Sequence, residues 1–288
     1  MLTVFTPVYN RAETLTRLYE SLQKQTCTDF EWLIIDDGST DDTPKLAQSF
    51  LREPRFPVRY QRKENGGKHT AHNLALTLAQ GTWFLCVDSD DYLTQDAVQT
   101  LTAELKDLQP NRGIIAYKQD VSGKRLSREF PEDLQYSYMN ELIIEHGCAG
   151  EFTLIFPTAL VREYPFPVFP GERFVTESVV YDQIDRNCRM LLLPKVITVC
   201  EYQPDGYSQN VSRLMATNPC GYSLYFMQRV DVSPSWKGKI VSAGKYWCFR
   251  WRGRNCVVSY TGKHKLLTGL GIPLGMIFHI YYKWVRKF

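Results

Sequence analysis

Along the first half of the chain, short apolar runs alternate with amphipathic stretches, the pattern of βα units that feed a parallel sheet. LTVFTP (Leu2 to Pro7) reads as a buried strand. After a turn over Val8 to Ala12, Leu15, Leu18, Tyr19 and Leu22 recur at helical spacing. EWLIID (Glu31 to Asp36) is a second buried strand that ends in the turn-rich DDGSTDDTP, where Thr43 and Pro44 suit a helix start. Val58 to Gln61 gives a weaker third strand. Gly66 and Gly67 open a helix carrying Leu74, Leu76 and Leu78 that breaks at Gly81, and TWFLCV (Thr82 to Val87) is a fourth strand running into DSDD. Further on, the pattern predicts a helix over Gln95 to Leu108, a strand over Ile114 to Tyr117, a turn at Ser122-Gly123-Lys124, a helix over Thr176 to Arg189 and a strand over Val196 to Tyr202. Between Phe130 and Gly171 the periodicity is poor and YPFPVFPG is proline-rich, so loops and short elements are expected there. There is no internal repeat and no low-complexity tract.

In the three strong units the polar residues collect just after the last apolar residue of each strand, which is where open α/β sheets place their ligands. Asp88-Ser89-Asp90-Asp91 puts three carboxylates within four residues at that edge. Carboxylates so close repel one another, and hard oxygen ligands suit a divalent cation such as Mg2+ or Mn2+ that bridges diphosphate oxygens. An acidic turn capping the next helix has the same appearance when it stands alone. Asp36-Asp37-Gly38-Ser39 repeats the arrangement after a second strand, either to accept hydrogen bonds from a base or ribose or to form an Asx turn. ENGGKHTAHN (Glu64 to Asn73) sets a Gly-Gly pair and Lys68 at the mouth of a helix, where backbone approach is easy and the helix terminus favours anions. It is neither a Walker P-loop nor a G-x-G-x-x-G turn. His69 and His72 lie three apart on one helical face, a spacing more often met in packed histidines than in a metal site.

TPVYNRAETL, EWLIIDDGSTDDT, ENGGKHTAHN and FLCVDSDD, in this order, resemble the nucleotide-binding half of glycosyltransferase family 2. The resemblance is strong over residues 1 to 100 and extends to about residue 210. It implies an α/β GT-A fold, a Rossmann-like, mostly parallel sheet flanked by helices. It also implies an inverting transferase that moves a sugar from a nucleotide-diphosphate donor, a UDP-sugar by preference, to an acceptor hydroxyl with the help of a divalent metal. Residue by residue, the resemblance places Pro7, Tyr9 and Asp37 around the nucleobase and ribose, with Arg11 and Glu13 supporting that loop. Lys68 and Asn73 fall where the family contacts the donor. Asp88 and Asp90 match the D-x-D pair, Asp88 toward ribose and diphosphate and Asp90 as the direct metal ligand.

In the family the catalytic base is an acid in a short motif, often Glu-Asp, that opens a helix of the second half. Thr176-Glu177-Ser178 is the best match, with Glu177 as base and a serine where the family has a second acid. The alternative makes Glu177 a first-turn acid and gives the role to Asp182 or Glu172. EYQPDGYSQN (Glu201 to Asn210) resembles a later stretch that closes over the donor. The Q-x-x-R-W motif of processive synthases is absent, so one sugar per encounter is expected.

Composition changes the picture mainly at the end of the chain. The 288 residues carry a net charge of only +3, yet Val232 to Phe288 contains Lys and Arg and no Asp or Glu. This stretch also holds Trp236, Trp247, Trp251 and Trp284. Cations interleaved with aromatic rings suit an anionic membrane surface. Leu266 to Tyr282 is uncharged between Lys265 and Lys283 but short of the ~20 residues of a spanning helix and interrupted by Pro273, so a surface-lying segment is expected. The competing reading is a helical hairpin whose cations are merely solvated. No recognition motif accompanies the charge, so nucleic acid is not expected as a partner.

The domains read as 1–210 for the transferase, divided into a nucleotide-sugar-binding half over 1–118 and an acceptor or catalytic half over 119–210. A helical basic and aromatic appendage follows over 211–288. The eight cysteines show no zinc or disulfide spacing, and MLTVFTPVYN shows no secretory signal, which points to reduced thiols in a cytoplasmic protein at the inner face of the membrane. The acceptor is expected to be a carbohydrate or lipid-linked glycan in polysaccharide or cell-envelope synthesis. Two other classes compete: a sugar nucleotidyltransferase, which lacks its glycine-rich first turn here, and an inactive nucleotide-sugar-binding protein.

Overall fold

The computed structural model describes residues 1–52, 54–203, 206, 210–253 and 256–284. They form two compact units, one of Met1–Pro165 with Asp182–Gln203, the other of Phe166–Tyr181 with Pro204–Phe288. The segment 166–181, read from sequence with the first domain, thus groups with the C-terminal helices.

The first unit is built on a sheet whose strands are β1 (Leu2–Val8), β2 (Phe30–Asp36), β3 (Val58–Arg62), β4 (Trp83–Cys86), β5 (Tyr92–Leu93), β6 (Arg112–Asp120), β7 (Tyr136–Ser137), β8 (Phe152–Pro157) and β9 (Arg189–Cys200). Its helices are α1 (Ala12–Gln23), α2 (Thr43–Ser49), α3 (Lys68–Leu78), α4 (Ala97–Leu105), α5 (Met139–Ile144) and α6 (Thr158–Arg162); α7 (Ser178–Ile184) runs from one unit into the other. The strand order is β3-β2-β1-β4-β8-β6-β9-β5, with β7 paired to β9. β3, β2, β1 and β4 are parallel, as the βα pattern requires. β8 enters antiparallel between β4 and β6.

Both β1 and β2 are buried along their whole length, which is why they read as unbroken apolar runs rather than alternating ones. Leu15, Leu18 and Leu22 of α1 join Val4, Trp32 and Ile34 in the main core. Even the polar interior is paired, since the buried Trp32 indole donates to Thr6 Oγ1 at 3.0 Å.

The poorly periodic stretch carries loops and short elements as expected, among them β8, which takes a central place in the sheet. Two expectations need correction. The helix begun near Thr176 ends at Ile184, and Arg189 to Cys200 is one long strand rather than a strand from Val196. Pairing of β9 to β6 steps from Leu193 to Val196 across a register shift, so the irregularity absorbs Pro194, which has no N–H to donate. The turn at Gly123 is present, with φ 85° and its N–H donating to the Asp120 carbonyl at 3.0 Å.

The second unit consists of α8 (Val211–Thr217), α9 (Pro219–Val232), α10 (Trp236–Arg252), α11 (Lys265–Leu270) and α12 (Ile272–Trp284), together with 166–181. Tyr222, Phe226, Tyr246 and Phe249 form its core. Glu172 caps α9, its two oxygens accepting the N–H groups of Cys220 (2.6 Å) and Gly221 (2.8 Å). All eight cysteines are free thiols, five of them buried. Among the described residues no helix is long and apolar enough to cross a membrane.

Candidate active site

The loops after β1, β2 and β3 are tied to one another at the carboxyl edge of the parallel strands. Asn10 sits at φ 51°, and its side-chain oxygen accepts the N–H of Thr40 at 2.7 Å while its own N–H donates to Ser39 Oγ at 2.9 Å. Arg11 N–H donates to Thr43 Oγ1 at 3.0 Å. Pro7 is buried inside β1, Tyr9 is exposed directly beyond it, Arg11 is half-buried and Glu13 exposed in the first turn of α1.

The two aspartates that end β2 divide the work. Asp36 Oδ1 accepts the N–H of Ser39 (2.7 Å) and Oδ2 accepts the Tyr60 hydroxyl (2.7 Å). Burial raises the Tyr60 phenol above its ordinary range, and its bond to Asp36 adds to the effect. Asp37, buried, receives the N–H groups of Gly66 (2.9 Å) and Gly67 (2.7 Å) and the ammonium of Lys63 (2.6 Å). It therefore holds the glycine pair where α3 begins. Gly67 has φ 94°, and a side chain at Gly38, φ 82°, would stand 2.9 Å from the Asn65 backbone nitrogen; glycine is required at both.

Lys68, the first residue of α3, reaches Asp88 at 2.6 Å and so joins the Gly-Gly loop to the DSDD turn. Burial works to raise the Asp88 carboxyl, but the cations of Lys68 and Lys118 outweigh it and hold the group below its ordinary value. Asp90 behaves in the opposite sense. Burial, then the charges of Asp88 and Asp91, push it up to about 6. A hydrogen bond from its own backbone N–H and the charge of Arg11 pull the other way without outweighing that rise. Asp91 turns inward, 3.2 Å from the Lys118 ammonium, and accepts a hydrogen bond from the Cys200 thiol.

The turn is fixed from behind by Arg17 of α1. Its guanidinium donates to the Asp90 carbonyl at 2.7 Å, pairs with Glu201 and lies 5.0 Å over the Tyr92 ring. Sequence reasoning missed Arg17, Lys118, Lys63, Tyr60 and Cys200; a lysine within an apolar strand run at Lys118 was the available signal. Two carboxylates with opposite shifts on one turn can serve a cation: Asp90 is raised by burial and then by negative neighbours, and a divalent ion relieves the second. Among the described residues no group of three His, Cys, Asp or Glu side chains is gathered as a metal cage.

The histidines of α3 are part of the packing. His69 and His72 are buried, and burial lowers them to about 4 and about 3. The His72 ring stands edge-on to Phe5 (5.6 Å) and Phe84 (5.2 Å). Asn73, one position on, is half-buried.

In the second unit Glu177 is half-buried at the entry to α7, its carbonyl accepting the N–H groups of Val180 (3.0 Å) and Tyr181 (2.9 Å). The alternative acids are engaged elsewhere. Glu172 caps α9, and the buried Asp182 accepts from the Asn140 amide at 3.3 Å. Of the EYQPDGYSQN segment, Pro204, Asp205, Tyr207, Ser208 and Gln209 lie outside the described residues.

A parallel half-sheet with two acidic turns and a glycine-opened helix on one edge gathers its polar groups where open α/β sheets bind ligands. Residues 3–166 match the Glycosyl transferase family 2 domain, and the chain belongs to that family. The chain is 40% identical to the chondroitin synthase of Escherichia coli over 107 residues, 37% of this chain and 15% of the relative. It is 34% identical to the poly(ribitol-phosphate) beta-N-acetylglucosaminyltransferase TarS of Staphylococcus aureus over 182 residues, 62% of this chain and 31% of TarS. The matched region thus spans less than a third of either curated relative. Among solved structures, TarS 1-349 in complex with UDP-GlcNAc superposes with a TM-score of 0.61 at 21% identity, covering 87% of this chain and 72% of that one. The mannosyltransferase PcManGT of Pyrobaculum calidifontis, in complex with GDP-Man and Mn2+, gives 0.57 at 18% identity, covering 99% and 87%. Membership of the family sets the nucleotidyltransferase reading aside.

Proposed function

We propose that this enzyme transfers a sugar, with inversion, from a nucleotide-diphosphate donor, a UDP-sugar by preference, to an acceptor hydroxyl in polysaccharide or cell-envelope glycan synthesis. The observation that carries the proposal is the Lys68–Asp88 contact, which joins the helix start at Gly66-Gly67 to the DSDD turn on one sheet edge. A diphosphate lying there meets an ammonium and a helix N-terminus together. The UDP-GlcNAc of the TarS structure supports the choice of donor, and the chondroitin synthase match supports a polysaccharide product.

In this reading Pro7, Tyr9 and Asp37 border the base and ribose, Asp37 also through the loop it holds, while Arg11 and Glu13 keep the first turn in place. Lys68 and Asn73 bind the donor. Asp88 and Asp90 would hold Mg2+ or Mn2+, which when bound neutralises charge on the diphosphate. The Mn2+ of the PcManGT structure supports that assignment. Glu177 accepts the acceptor's proton as its oxygen bonds to the anomeric carbon. The bond from that carbon to the diphosphate breaks on the opposite face, its electron pair leaves with the nucleotide, and the configuration inverts. One sugar is added per encounter. Residues 236–288 bring the enzyme to an anionic membrane surface, at the inner face of the cytoplasmic membrane, where a carbohydrate or lipid-linked glycan is the acceptor.

The test is a screen of UDP-, GDP- and dTDP-sugars for Mn2+-dependent binding and transfer, with the product's anomeric configuration read by NMR. A UDP-sugar giving an inverted product is expected. Retention of configuration rejects the mechanism, and binding without transfer to any glycan acceptor favours an inactive nucleotide-sugar-binding protein.

A further inference from the structure

The C-terminal helices carry an apolar face that is exposed among the described residues. α12 packs on α10 through glycines: a side chain at Gly275 would lie 2.8 Å from Trp247 Cβ, and one at Gly244 would lie 2.9 Å from Leu274 Cγ. The Tyr282 ring on the same side stands 5.5 Å from Phe249. Turned away from α10, at spacings of three and four, are Met276, Ile277 (61% exposed), Ile280 (59%), Tyr281 and Trp284 (72%). α11 continues the surface with Leu266 (87%) and Leu270 (64%). A helix of a water-facing domain ordinarily turns its polar residues outward. Here both sides of α12 are apolar, and the only charged residue on it is Lys283.

We infer that this outer face of α11 and α12 inserts into the headgroup layer of an anionic membrane, with α12 lying in the plane of the surface. The inference rests on the membrane reading proposed above and assigns it to one face. At 13 residues α12 is about 20 Å long, short of the ~30 Å hydrocarbon core, so it lies flat rather than spanning. Charge selects the partner: Lys263, Lys265 and Lys283 are exposed at the two ends of the helix pair, and beyond Asp231, whose carboxylate accepts the Lys263 backbone N–H at 3.3 Å, the sequence holds no further acid. An apolar stripe with Trp and Tyr at one end and cations at its margins matches a lipid interface in which rings and aliphatic chains sit beneath anionic headgroups.

The test uses the full chain with vesicles of phosphatidylcholine containing phosphatidylglycerol, against vesicles of phosphatidylcholine alone. Flotation with the anionic vesicles is expected, with Trp emission shifting to shorter wavelength and Trp284→Phe removing much of that shift. Ile277→Ser/Ile280→Ser, at solvent-exposed positions, is expected to weaken vesicle binding tenfold or more while UDP affinity and circular dichroism stay unchanged. Lys263→Gln/Lys265→Gln/Lys283→Gln serves as the charge control. Wild-type binding by the serine variant overturns the assignment to this face, and loss confined to the glutamine variant leaves the membrane reading standing without it. Failure of the unaltered chain to bind either vesicle overturns both. A dimer that the serine substitutions convert to monomer, without vesicle binding, assigns the face to a second copy instead and overturns the inference.

Discussion

Lys118 reaches from the middle of the sheet to Asp91 at 3.2 Å, so the last carboxylate of the DSDD turn points into the protein while Asp90 does not. Burial alone would drive the proton off Lys118, but Asp91, Cys200 and Asp88 together raise it above its ordinary value. Removing one partner strands a buried charge. Lys118→Met or Asp91→Asn is expected to cost about 3–5 kcal/mol, and the double variant to recover most of that loss. Urea unfolding midpoints of the three variants measure it; equal losses in the single and double variants reject the pairing as the cause.

Asp90 makes the ligand-free fold sensitive to pH in a defined direction. A carboxyl raised to about 6 from 3.8 is protonated in the fold before it is protonated in the unfolded chain. Its contribution therefore favours the fold at low pH and is lost as pH rises through about 6. Asp90→Asn should match wild type below 3.8, gain on it as pH rises toward about 6, melt higher above that, and lose Mn2+-dependent UDP binding. Melting curves taken without metal across this range decide the first point and calorimetry the second.

Arg17 holds the backbone of the same turn without any proposed contact to the donor. Arg17→Met is expected to weaken Mn2+-dependent donor binding by about 10- to 100-fold, the effect of releasing a ligand's supporting bond. Arg17→Lys should restore only part, since one ammonium cannot serve the Asp90 carbonyl, Glu201 and the Tyr92 ring together. Unchanged donor affinity in Arg17→Met contradicts the positioning role.

Glu177→Gln keeps the shape of the residue and removes its ability to take a proton. kcat is expected to fall by about 10² to 10⁴ with donor affinity nearly unchanged. Normal turnover moves the base to another acid, and the involvement of Glu172 at the start of α9 leaves Asp182 as the next one to test.

Burial lowers His69 and His72 below their ordinary 6.5, so the fold is favoured above that value and weakened as pH falls toward about 4 and about 3. Acid unfolding should begin below 6.5 with the uptake of up to two protons from these groups. His72→Leu should flatten the slope by nearly one proton, because it keeps an apolar group against Phe5 and Phe84. A slope unaffected by the substitution places the acid sensitivity elsewhere.

β1, β2 and β4 were legible because each is a largely apolar run with a proline or aspartate at its end, whereas the polar β3 gave only a weak signal. The acidic turns could be read for the same reason: Asp37 and Asp88 follow the last buried residue of their strands. What each carboxylate touches was not legible. The partners Lys63, Lys118 and Arg17 come from other elements, and only the strand order brings them to the turn. β8 was not singled out because six residues cannot show a period, and the first half of β9 was not read because the register shift that accommodates Pro194 depends on the neighbouring strand. The tail was read correctly as helical, but glycine contacts in the fold, not hydropathy, decide which side of α12 stays bare.

The place of β8 also governs the order in which the chain can become complete on the ribosome. β4 pairs on one side with β1, already synthesised, but its other neighbour is Phe152–Pro157, and β5, α4, β6 and α5 must be made before that strand emerges. Until then the nascent sheet has a bare edge of unpaired N–H and C=O groups beside its acidic turn, open to pairing with another chain. A truncation ending before Phe152 should accordingly self-associate, whereas one that includes Pro157 closes that edge within the same molecule.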